Sequence, residues 1–246
     1  MGLFDLFRGT KGEEKPKASA AAKWANVAAD KRAQNYDRQE AIGQLAEMGT
    51  ADAAAALLKR FTFTMDPSIT DQEEKDLAFN GILRAGRDAL EPVRTFVQKA
   101  ESLTWPMKVM RELLSPEEYV DELLLWLAKW DTEYARFIDP KIQILVALEE
   151  NKGPHVRAAV ERFLLDVNEV PRFHAAGAIF AQDDAAESIP ALLDCVVDEE
   201  SVRVKHRIVD AFIAREWSVP EEKREVVRKS LPSGSTIDAS GFMKKR

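Results

Sequence analysis

The chain has 246 residues, with 35 basic and 42 acidic side chains and a formal net charge of −7, a balance that works against a surface built to track nucleic-acid phosphates. A single cysteine, Cys195, excludes an intramolecular disulfide, and the lack of a signal peptide or a long apolar run makes the cytoplasm the expected setting. Aromatic residues make up 8% of the chain and β-branched residues form no alternating runs, so the expected class is all-α.

Residues 1–19 read as a flexible arm whose tip, Leu3, Phe4, Leu6 and Phe7, is apolar and whose remainder is charged. Leu6 stands where a myristoylation signal wants Ser or Thr. Docking on the first repeat, on a partner, or on a membrane surface are the open fates of the tip. Docking in a partner's groove is favoured, because Arg8, Lys11, Lys15 and Lys17 are largely offset by Asp5, Glu13 and Glu14, which leaves membrane attachment weak. Residues 20–35 carry Trp24 and Val27 on one side of an Ala-rich helix, expected to cap the first repeat.

From Asp37 to Phe61 two short helical faces follow one another: Ala41, Ile42 and Leu45, a break at Gly49-Thr50, then Ala54, Leu57, Leu58 and Phe61. The layout returns every 31 to 37 residues. In register with Ala41 stand Ala78, Met110, Ile144, Ala175 and Ile208, and four residues later come Leu45, Ile82, Leu114, Leu148, Ile179 and Phe212. All of them are apolar, as a helical repeat array requires. Pro106, Pro140 and Pro171 sit four residues before three of the register positions, where a fixed φ suits a first helical turn, and Ser115-Pro116-Glu117-Glu118 reads as a capping box. Gly86 matches Gly49 and both suit a left-handed helix end. The array runs over residues 36–231, and the tail 232–246 is small, polar and finally basic, either disordered or draped over the last repeat.

The segments RQEAIGQLAEMGTADAAAALLKRF and RFHAAGAIFAQDDAAESIPALLDCVVDEESVRVKHRIVDAF resemble HEAT repeats of the short, bacterial HEAT-like kind. The usual HEAT period is about 40 to 47 residues, so this would be a compact variant. The resemblance implies a right-handed α-solenoid of about six helical hairpins, used for binding proteins, with a minority of the family recruited to chemistry. The expected function is therefore a non-enzymatic adaptor or scaffold without cofactor or metal. The alternative is a repeat-based enzyme or modification factor, bilin-lyase-like or, further off, alkylpurine DNA glycosylase-like.

Partner binding is expected on the second helices, where repeats align their solvent-facing positions; Arg60, Arg94, Lys99, Trp126, Trp130, Arg157 and Arg162 are the candidate contacts. Tyr119, Trp126 and Trp130 form an aromatic edge for which core filling is favoured over an exposed ledge. Three residues before the register position stand Arg38, Lys75, Lys141, Arg172 and Lys205, with Met107 as the one break. A ladder of ion pairs is the favoured reading of this row over a stripe that reads an acidic partner, and Asp37, Glu74, Asp139, Glu169 and Glu200 are the nearby acids. His155, His174 and His206 lack helically spaced ligand partners, and Cys195 has acids beside it, which opposes a reactive thiolate.

Overall fold

The computed structural model describes residues 20–246, so the apolar tip Leu3, Phe4, Leu6 and Phe7 lies outside the described residues. The helices in chain order are α1 (Ala22–Ala28), α2 (Asn35–Met48), α3 (Ala51–Leu58), α4 (Ser68–Arg84), α5 (Leu90–Val97), α6 (Thr104–Leu113) and α7 (Pro116–Leu127). They continue as α8 (Asp139–Glu150), α9 (Val156–Glu161), α10 (Glu169–Ala181), α11 (Ile189–Asp198), α12 (Val202–Ala214) and α13 (Arg224–Ser230), and a ribbon of β1 (Ser235–Ile237) and β2 (Met243–Lys245) closes the chain. The class is all-α apart from this ribbon. Two units are separable, their described parts being residues 20–96 and 97–246.

In the first unit Gly49 ends α2 at φ 57°, and the Thr50 hydroxyl accepts a hydrogen bond from the Ala53 amide at 3.3 Å to start α3. Gly86 adopts the matching φ of 56° after α4. The Ala-rich faces let helices approach closely: a Cβ on Gly81 of α4 would lie 2.7 Å from the Ala46 Cα of α2 and 2.8 Å from Leu57. The nearest atom of all is the Ala46 Cβ at 2.6 Å, and because that Cβ and its Cα are fixed to the α2 backbone, the backbones would have to separate. Gly81→Ala is expected to destabilise this unit by about 1–3 kcal/mol despite Ala's better helix propensity, and a denaturation midpoint at or above wild type would show that α2 and α4 are looser than described.

Beneath these helices lies a buried ionic network. Arg38 donates to both oxygens of Glu74 at 2.8 and 2.9 Å, Arg60 donates to Glu74 and Asp71 at 2.7 Å each, and Lys75 reaches Asp71 at 2.6 Å. Burial pushes the Asp71 carboxyl up, but hydrogen bonds from Lys75 and Arg60 outweigh it and hold the group below its ordinary value.

In the second unit α10 packs between α8 and α12. Ile144, Leu148, Ala175, Ile179, Ile208 and Phe212 are fully buried there, as are Ala41, Leu45, Ala78 and Ile82 in the first unit. Leu114 departs from the series and is only half-buried. The capping box is the reason: the Ser115 hydroxyl accepts from the Glu118 amide at 3.2 Å while Glu118 accepts from the Ser115 amide at 2.9 Å, so α7 begins at Pro116 and Leu114 is left as an extended C-cap of α6.

The tail is an ordered hairpin. β1 and β2 pair antiparallel with Ile237 opposite Met243, both buried, and the Val219 amide donates to the Gly241 carbonyl at 2.8 Å. Arg224 of α13 donates to the carbonyls of Val219, Ala239 and Ser240, so a guanidinium holds the hairpin turn against the last helix. Among the described residues no helix is long and apolar enough to cross a membrane.

Candidate functional site

Two of the cations three residues before the register positions tie their helix to the segment ahead of the next register helix. Lys141 of α8 meets Asp166, ahead of α10, at 2.5 Å, and Arg172 of α10 grips Glu199, ahead of α12, with two bonds of 2.7 Å. Asp166 and Glu199 both stand nine residues before the register position of the helix they precede, Ala175 and Ile208. Lys205 of α12 donates instead to the Ser230 carbonyl at 2.9 Å. Four of the five cations in the row, Arg38, Lys75, Lys141 and Arg172, are thus ion-paired, although Asp166 and Glu199 are not among the acids picked out by proximity in sequence.

The same use of long side chains removes several candidates from the second-helix surface. Arg60 is fully buried in the network with Glu74 and Asp71, so it is no partner contact. Trp126 is buried too, its indole donating to Glu122 at 2.7 Å, and Tyr119 is buried beside it, so both fill the core. Arg157 is held by Asp184 at 2.8 Å and Glu187 at 2.7 Å, tying α9 to the turn before α11. Arg162 donates to the Trp130 and Leu127 carbonyls at 2.6 and 3.2 Å, stitching the end of α7. Trp130 is half-buried, Lys99 is exposed, and Arg94 pairs with Glu91 at 2.6 Å. Sequence spacing gathers these residues on second helices; the structure directs Arg60, Trp126, Arg157 and Arg162 inward or across to neighbouring segments.

Where the ladder breaks, between α6 and α8, an apolar cleft of about 280 Å³ opens. Met107 occupies the clamp position of α6, and Ala135 stands nine residues before Ile144, where an acid would complete the clamp. Met107 forms one wall of the cleft and Ile142, Val146 and Ala147 of α8 form the other, with the buried Tyr119 ring between them. Burial pushes the Tyr119 phenol up despite Arg111, so the hydroxyl stays neutral at physiological pH. Gln143 closes one end, accepting from the Leu103 amide at 2.6 Å and donating to the Thr104 hydroxyl at 3.1 Å. The rim carries Lys108, Arg111 and Glu150; Arg111 and Glu150 pair loosely at 3.6 Å with more than half of each side chain exposed. Lys108 lies over the Trp105 ring at 4.3 Å and has no ion-pair partner among the described residues. Met107, Ile142 and Val146 are absent from the sequence-derived candidates, yet the break in the cation row at Met107 is visible in the sequence and marks their seam.

The corresponding seam between α8 and α10 is closed by polar contacts. Glu149 of α8 meets the His174 Nδ1 of α10 at 2.5 Å and pairs with Arg207 of α12, and Gly177 leaves the space in which that pair lies, since a Cβ there would fall on both side chains. Burial raises the Glu149 carboxyl, but the bonds from His174 and Arg207 more than offset it and hold it below its ordinary range. Cys195, buried on α11, has its thiol pushed up to about 12 by burial and by Glu199. Cys195 is accordingly expected to resist alkylation by iodoacetamide at pH 8 in the folded protein and to react in denaturant; stoichiometric labelling of the native state would contradict its placement.

Among the described residues no group of three or more His, Cys, Asp and Glu side chains is placed to hold a metal ion. Compared with known proteins, the chain matches no family model, no curated relative and no solved structure.

Proposed function

We propose that the protein is a HEAT-like helical-repeat adaptor, built of stacked α-solenoid hairpins, that holds a protein partner without chemistry of its own. The observation that carries this reading is the cleft between α6 and α8, where apolar side chains line an open seam that neighbouring seams fill with ion pairs. An exposed apolar concavity rimmed by charge is the kind of surface that protein recognition uses, since a buried anchor supplies affinity and the rim supplies register. Of the second-helix candidates in the same unit as the cleft, Lys99 and Trp130 remain as secondary contacts, without Trp126.

The test is a photo-reactive amino acid placed at Val146 in the cleft and, as a control, at Val226, an exposed apolar position on α13. Ultraviolet irradiation in the native cell is expected to give a discrete cross-linked polypeptide from position 146 and none from 226. Equal patterns from both positions would refute the cleft as the binding site.

A further inference from the structure

The partner segment is identifiable by chemistry. Resting on the reading of the cleft as a protein-binding site, we propose that its occupant is an acidic amphipathic helix that inserts two apolar side chains one turn apart and presents a carboxylate to Lys108.

The shape of the cleft argues for the helix. Its α6 wall is drawn from Thr104, Met107, Lys108 and Arg111, and its α8 wall runs from Ile142 through Val146 to Glu150. Both sets recur at three- and four-residue spacing over about two helical turns, which spans roughly 10 to 12 Å at 1.5 Å per residue. Two anchors at i and i+4 on a third helix, about 6 Å apart along its axis, fit within that length. Met107 suits such a site because its unbranched, polarizable side chain adapts to the anchor it meets.

Charge chooses the sign of the partner. Arg111 is already answered by Glu150, but Lys108, on the exposed rim, is not answered by any carboxylate among the described residues. Among the residues lining the cleft two cations thus face one carboxylate, although the whole chain carries −7; Glu112, exposed one turn beyond Lys108 on α6, stands outside the lining. Charges beyond a Debye length of about 8–10 Å are screened, so the contact is set by the lining and its immediate neighbours rather than by the remote acidic surface. A basic segment would meet Lys108 and Arg111 as like charges and lose register.

The experiment uses the full chain and three fluorescent 16-residue peptides: an acidic amphipathic helix with Leu at i and i+4, the same helix with Lys in place of each Glu, and the acidic helix with both Leu changed to Ser. Fluorescence anisotropy is expected to show the first binding at least tenfold more tightly than either of the others. Lys108→Glu should narrow or invert the preference between acidic and basic helices. Val146→Arg, a change at a solvent-accessible position, should abolish binding with the far-ultraviolet circular dichroism unchanged. A basic helix that binds as well as the acidic one, and is still displaced by Val146→Arg, would overturn the acidic partner and leave the cleft standing. Equal binding of the Ser peptide would overturn the two-anchor mode. Failure of every peptide to bind in a manner sensitive to Val146→Arg, together with no cross-link at position 146, would overturn both the occupant and the site; a cross-link without peptide binding would overturn the occupant alone.

Discussion

Leu148→Asp is expected to unfold residues 97–246 at room temperature. Leu148 has no solvent exposure on α8, which packs directly against α10, where Ala175 and Ile179 are buried as completely. Removing a buried leucine forfeits roughly 2–5 kcal/mol, and an unpaired carboxylate in that position adds several more through lost hydration. The total approaches the whole stability of an ordinary domain, about 5–15 kcal/mol. Leu148→Met keeps volume and polarity and should cost less than about 1.5 kcal/mol, so the pair separates charge from shape. Urea unfolding followed by circular dichroism measures both; a native-like midpoint for Leu148→Asp would show that the register places the wrong residues between the helices.

The second large effect concerns the clamp between Lys141 and Asp166. Both side chains are fully buried, and among the described residues the ammonium finds one other hydrogen-bond acceptor, the Asp131 carbonyl at 3.1 Å. Lys141→Met leaves the Asp166 carboxylate with the Asn168 backbone amide at 2.9 Å, the Asn168 side-chain amide at 3.4 Å and no ion pair, the nearby Arg172 guanidinium donating to the Asp166 backbone carbonyl at 2.8 Å, and Asp166→Leu strands the ammonium. Each single change is expected to cost about 3–5 kcal/mol, because breaking a buried pair leaves an uncompensated charge. The double change should recover most of that loss, since apolar groups of similar volume can replace a buried pair at little cost. A double-mutant cycle reads the coupling directly, and additive losses would mean that the two groups do not depend on each other.

The packing register was legible from sequence because it depends on spacing alone: every first-helix position marked by the repeat is buried except Leu114, whose helix is cut short by the Ser115-Pro116 signal one residue later. Gly49 and Gly86 were legible for a similar reason, since a left-handed helix end favours glycine wherever it occurs. Side-chain destinations were not. Arg60 and Arg162 look alike on paper, yet one is enclosed by Glu74 and Asp71 while the other caps carbonyls at the end of α7. A long flexible stem can reach solvent or a neighbouring segment from the same Cα, and only the three-dimensional position of acceptors decides between them. The terminal hairpin was hidden because its strands are three residues long and depend on Arg224, distant from the turn in sequence, to hold the turn carbonyls of Ala239 and Ser240. Recognition of the cleft required the absence of two residue types at once, the cation at Met107 and the acid at Ala135, and the second absence acquires meaning only when Asp166 and Glu199 are seen to occupy that place elsewhere.

The central claim, that the unclamped seam between α6 and α8 is where a partner binds, is tested most directly by methyl NMR of the full chain labelled at Ile, Met and Val and titrated with the acidic amphipathic peptide. The methyls of Met107, Ile142 and Val146 should shift in a saturable manner, while Met243 in the terminal hairpin and Val227 on α13 stay in place. Shifts centred on the hairpin or spread evenly over both units, with Met107 and Val146 unmoved, would contradict it.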